Sequence, residues 1–207
     1  MPRSLFAATL ALLLLALPAA ASAQSAEPVR YRQSYSLEAQ GDIAGALAAL
    51  EQIAAKATDG YLLALRKGWL NYLAGKHAEA ATAYEQAASL EPKAIEPRLG
   101  AMLPLMALRR WTEALAHGQK VIGLAPGDFT AQSRLAYIHY NQGRFDQAEL
   151  WYRRALAGYP SNVEMRAGLG WSLLKQSRPK EARAEFERIL RVAPDHLSAQ
   201  QGMAAVP

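Results

Sequence analysis

Cysteine is absent from the 207 residues. Its absence removes disulfides, thiol nucleophiles, cysteine-ligated metals and the lipid-attachment cysteine of a bacterial lipoprotein. Histidine is scarce, and His77, His117, His139 and His196 stand too far apart to form a metal-ligand pair, so no metal is expected. Runs of Lys or Arg are missing, and with them the basic tract and recognition motifs of a nucleic-acid partner. The formal net charge is only +5. The sole extended apolar run, Leu5 to Leu17, is shorter than the roughly 20 residues a membrane-spanning helix needs.

That run has a different reading. Arg3 precedes it, Pro18 breaks it, and Ala21-Ser22-Ala23 offers a small-x-small cleavage site. Residues 1–23 are therefore expected to be a secretory signal peptide. Cleavage leaves a short lead at 24–26, no integral membrane span, and an exported chain, destined for the periplasm if the source is Gram-negative. Only Arg3 is lost, so 22 Lys and Arg face 18 acids, a net charge of +4 (22 − 18). That mild excess suits solubility.

The rest of the chain is organised around Asp128 to Pro160. An apolar run of period 3.6 breaks at Asn141-Gln-Gly143, and a second run follows and stops at Pro160. The pattern predicts a helix, a tight turn and a second helix, and it recurs. Prolines stand at 92, 126, 160 and 194 and alanines at 46, 80, 114, 148 and 182, each series spaced by 34 residues. A fixed period over most of a chain marks a repeat array.

A 34-residue helix-turn-helix unit resembles the tetratricopeptide repeat (TPR) family. Five units fit: 27–60, 61–94, 95–128, 129–162 and 163–196, with 197–207 left as a short C-terminal capping segment. The family's small residue in the first helix matches Gly68, Ala136 and Gly170. Its turn glycine matches Gly41, Gly75 and Gly143, and its second-helix alanine matches all five units. The large residue four places later is Leu50, Tyr84, Tyr152 and Phe186. The resemblance implies an all-α, right-handed α-solenoid. Physics agrees: an alanine lets the second helix lie close to the first, and each unit needs its neighbours to bury its apolar face.

The third unit departs most. Pro104 falls inside its first helix, Arg109-Arg110 replace the turn glycine, and Gly118 stands where other units carry a large residue. A kinked helix and looser packing are expected there, with Gly100 giving the backbone room four residues before the proline. In the tail, Gly202 and Pro207 are expected to weaken a last helix that leaves part of the fifth unit uncovered. Such an end is a candidate self-association surface.

By resemblance, first helices line the concave face of the array. The ninth residues of the units include Tyr35, Trp69, Leu103, Tyr137 and Trp171, and the twelfth include Tyr72, Met106 and Tyr140. Beside them, at the sixth, stand Arg32, Arg66 and Arg134. Rings with arginines beside them suit a groove for a protein or peptide segment, since rigid rings give contact area and guanidinium forks bind carboxylates or carbonyls. The same rings can pack between helices, or stack sugars. The carboxylate-clamp subfamily carries an asparagine where this chain has tyrosine, tryptophan or leucine, which argues against that mode of peptide recognition.

Catalytic signals are weak. Ser177-Arg-Pro-Lys180 spells S-x-x-K, yet its partner motifs, such as K-T-G, are missing. The expectation is an exported scaffold or adaptor without enzymatic chemistry or cofactor. It would join components of the bacterial envelope in assembly or secretion, with a glycan-binding module of an export system as the alternative.

Overall fold

The computed structural model describes residues 26–55 and 57–207. The 1–23 leader and most of the 24–26 lead lie outside the described residues. Within them the chain forms eleven helices and no strand: α1 (Ala26–Ala39), α2 (Ile43–Glu51), α3 (Gly60–Leu73), α4 (His77–Leu90), α5 (Glu96–Ala107), α6 (Trp111–Leu124), α7 (Phe129–Asn141), α8 (Phe145–Gly158), α9 (Val163–Lys175), α10 (Pro179–Leu190) and α11 (Leu197–Ala205). Consecutive helices pack in antiparallel-hairpin order, and odd-numbered helices touch the next odd-numbered one. The result is an all-α solenoid.

Each hairpin turns through the same hydrogen-bond pair. In the second unit Gly75 N–H bonds to Tyr72 O and Lys76 N–H to Asn71 O, the pattern that closes a helix through a left-handed residue. Gly41, Gly75 and Gly143 supply that residue with φ of 82°, 72° and 73°. Arg109 and Ser177 adopt it without glycine, at 55° and 60°, and make the same bonds. The returning connection is fixed by side chains. Arg98, Gln132, Arg166 and Gln200 donate to the carbonyls of Pro92, Pro126, Pro160 and Pro194 at 3.0, 2.9, 2.6 and 2.8 Å. The first connection has Thr58 in place of proline. Its N–H and hydroxyl donate instead to the Glu27 carboxylate, at 3.1 and 2.9 Å.

The five alanines of the repeat are completely buried. Beside them, the large residues of the second helices press against the backbones of first helices. The Tyr84 ring would be 2.8 Å from a Cβ on Gly68 and 2.3 Å from one on Gly100. The Phe186 ring would meet Gly170 at 2.6 Å and Gly202 at 2.3 Å, and Tyr152 would meet Gly168 at 2.3 Å. Bulk on one side of each seam is matched by emptiness on the other. Tyr84 faces Gly100, Tyr152 faces Gly168 and Phe186 faces Gly202. The smaller Leu50 and Gly118 precede units that carry Arg66 and Arg134 at the same place.

Two sequence expectations are corrected here. The third unit is not loose. α5 runs unbroken through a buried Pro104, and Ala101, Met102 and Leu105 are fully buried. The volume a ring would fill at Gly118 is taken by Leu135 and Met102, which approach its Cβ position to 2.7 and 2.9 Å. Gly100 accommodates a neighbour's ring rather than relieving the proline. In the tail, Gly202 seats Phe186, and Val206 is buried in the last core cluster. Leu197 and Val192 remain exposed at that end.

Candidate functional site

Two cavities open among the first helices. The first, about 760 Å³, lies across α1, α3, α5 and α7, with the α4 residue Tyr84 in its lining. Its walls are mostly apolar, with Leu62, Leu65, Leu99 and Leu103 joining Tyr35 and Trp69. The second, about 500 Å³, lies between α7, α9 and the start of α11, and Tyr152 of α8 lines it. Tyr137, Tyr140, Trp171, Ser133, Lys175 and Ser198 surround it. Helix α7 stands between the two, giving Thr130 and Arg134 to one and Ser133 and Tyr137 to the other.

The residues expected from the sequence distribute unevenly. Tyr35, Arg66, Trp69, Leu103 and Arg134 meet in the first cavity and Tyr137, Tyr140 and Trp171 in the second. Arg32 is exposed and lines neither. Tyr72 packs its ring 6.1 Å from Trp69 and 5.6 Å from His77, and Met106 packs against the central core cluster. Neither faces a cavity. Trp171 is partly structural: its indole N–H donates to the Ser198 hydroxyl at 2.9 Å, and its ring meets Phe186 edge-on.

The arginines are also engaged. Arg66 is 7% exposed. Its guanidinium donates to the Ser34 hydroxyl, pairs with Glu38 and lies 3.9 Å from the centre of the Tyr35 ring. The same carboxylate accepts the Trp69 indole N–H at 2.6 Å. Burial pushes the Glu38 carboxyl up, but the bonds from Trp69 and Arg66 together outweigh it and hold it below its ordinary value. Glu38 therefore stays ionised and fixes the orientation of both partners. Arg134 donates to the Leu99 carbonyl at 2.5 Å. Burial, with Glu96 adding to it and Arg134 opposing, raises the Tyr84 hydroxyl to about 12, so it remains a neutral donor.

Several lining residues escaped the sequence reading. The second and fifth positions of the units contribute Leu62, Leu65, Glu96, Leu99, Thr130, Ser133 and Glu164. They share the helical stripe with the ninth and twelfth, so periodicity already held that signal. Tyr84 and Tyr152 were legible only as packing residues. Ser177 occupies a left-handed turn position and Lys180 the first turn of α10, so the S-x-x-K spelling is part of a hairpin. Among the described residues no group of acids and histidines is placed to hold a metal ion.

A tetratricopeptide repeat model matches residues 31–95 and 105–163, and a second one matches 151–206. The chain belongs to the tetratricopeptide repeat family. Such an array is a scaffold for protein–protein interaction. Two curated relatives are the Protein CTR9 homolog of Arabidopsis thaliana and the Hsp70-Hsp90 organizing protein of Triticum aestivum. The first is 31% identical over 96 residues, which are 46% of this chain and 9% of that protein. The second is 32% identical over 103 residues, 50% of this chain and 18% of that protein. The chain thus spans less than a fifth of the length of either. Solved structures repeat the fold. MamA from Desulfovibrio magneticus superposes with a TM-score of 0.78 at 16% identity, covering 83% of this chain and 97% of that one. A thermophilic TPR protein of Thermus thermophilus gives 0.61 at 20% identity, covering 86% and 98%.

Proposed function

We propose that this TPR array is an exported adaptor that holds a segment of a partner protein in its concave groove, at the bacterial cell envelope. Export rests on the leader pattern of residues 1–23. No helix among the described residues is long and apolar enough to cross a membrane. The partner is held by contact alone, without chemistry on it. One observation carries the groove: the first cavity gathers four leucines, Tyr35 and Trp69 beside the fixed Glu38–Arg66 pair. Clefts of a few hundred cubic ångströms with apolar walls and few convergent polar groups are the usual form of a recognition site.

A photo-crosslinking amino acid placed in the full chain, expressed in a bacterial host, tests the reading. Positions Tyr35, Leu62 and Tyr137 are exposed in the cavities. Leu124 and Leu150 are equally exposed on second helices. Discrete protein adducts from the first set and not the second are expected, and adducts confined to the second set refute the groove. Alkaline phosphatase fused after Pro207 becomes active only outside the cytoplasm, which tests export separately.

A further inference from the structure

The two cavities are related by a shift of two repeats. Advancing 68 residues (2 × 34) from Trp69, Tyr84, Glu96, Gly100 and Leu103 gives Tyr137, Tyr152, Glu164, Gly168 and Trp171. The first five line one cavity and the second five the other. In each, a tyrosine from a second helix lies under a glycine of the next first helix, its ring occupying the space of the missing side chain. Tyr84 is 4% exposed and Tyr152 6%. The hydroxyl is the one polar atom either side chain brings to its cavity; neither is among the buried atoms left without a partner, so in the open cavity each stays within reach of solvent. The third ring of the series, Phe186, lines neither cavity and has no hydroxyl.

From this we infer that Tyr84 and Tyr152 are paired recognition donors. Each presents an O–H at the cavity wall to an acceptor of the bound segment, so the groove reads two backbone carbonyls set two repeats apart. The inference rests on the groove reading above and specifies its occupant as an extended segment with a bulky aliphatic side chain in the first cavity. An occupant that fills the cavity shuts the hydroxyl off from water, and a covered donor without an acceptor is costly. An extended chain supplies carbonyls free of internal partners, whereas a helix has already committed its own. Leu62, Leu65, Leu99 and Leu103 match an aliphatic side chain and would leave the hydroxyls of a sugar ring unpaired. Gly100 and Gly168 serve this geometry twice, seating the ring and leaving the cavity open above it.

The probe is N-acetyl-leucine N′-methylamide, which carries two peptide carbonyls, one leucine side chain and no charge. It is titrated into the intact chain with 13C at Cζ of every tyrosine, beside Tyr84→Phe and Tyr152→Phe. Both variants keep the ring and its packing, and unchanged melting temperatures verify that. Saturable shifts of the Tyr84 and Tyr152 signals are expected. Each variant should weaken binding at its own cavity about fivefold, the usual scale of one hydrogen bond, and leave the other cavity unchanged. Equal affinity in the phenylalanine variants, or no shift at either tyrosine, overturns the donor role. Preferential binding of methyl β-D-glucoside over the peptide probe overturns the occupant. If the concave crosslinks persist through either result, the groove reading stands and this inference alone falls.

Discussion

Cε1 of the Tyr84 ring lies 2.3 Å from the point where a Cβ on Gly100 would stand. No side chain, however small, fits at residue 100 without moving an aromatic ring that is 96% buried (100 − 4). The contact joins the second helix of one repeat to the first helix of the next, so it is a seam of the solenoid as well as a wall of the first cavity. Gly100→Ala is expected to destabilise by about 1–3 kcal/mol, the range for overpacking a filled core. Gly123 in α6 has open space around its Cβ position. There the same change should stabilise by about 0.5–1 kcal/mol through helix propensity alone. Urea unfolding of the two variants beside the native chain reads opposite signs for one chemical change.

The hairpin turns give a second sign test. Arg109 and Ser177 hold the left-handed conformation that glycine supplies at three equivalent turns. A side chain in that region is strained by about 1–2 kcal/mol, and glycine raises the entropy of the unfolded chain in partial return. Arg109→Gly and Ser177→Gly should each raise stability by roughly 0.5 kcal/mol, whereas Gly75→Ala should lower it by about 1 kcal/mol. Thermal unfolding of the three variants checks the order.

Acid should weaken the array in two stages. Burial pulls the imidazoles of His117 and His139 below their ordinary value of 6.5. Glu85, Arg98 and Glu113 surround the first, and Arg144 and Asp146 the second. The unfolded chain therefore binds these protons more readily than the folded one, and stability falls as pH drops through about 6.5 towards the folded values. The lowered carboxyls of Glu38 and Glu149 act in the same direction further down, below their unfolded value of 4.5. Urea midpoints at pH 7.5, 6.5 and 5.5 should decline, and His117→Gln with His139→Gln should flatten that decline.

Much of the fold could be read along the chain because its causes repeat along the chain. The alanines at 46, 80, 114, 148 and 182 are at the helix contacts where a methyl is needed, and all are sealed from solvent. What escaped were relations across seams. Gly118 reads as a missing ring until Met102 and Leu135, from the helices on either side, are seen to fill the place. Arg66 and Arg134 read as groove residues because their position faces the concave side. The same position abuts the preceding unit, and the bonds to Ser34, Glu38 and Leu99 tie much of their hydrogen-bonding capacity to the frame. The stripe of the first helices was correct in phase. Which of its members border open space depended on the bulk of residues 15 or more positions away, which no local pattern records.

The matching of bulk across seams also sets the grammar by which this array can be edited. Removing residues 95–128 alone would splice Tyr84 against Arg134, two large groups competing for one space. Removing 95–162 would set Tyr84 against Gly168, a pairing like the one it has now with Gly100. The longer excision is therefore expected to leave a cooperative thermal transition where the shorter one broadens or abolishes it. A single repeat can be lost only where the new joint again sets bulk against space, as removal of 163–196 would by placing Tyr152 against Gly202.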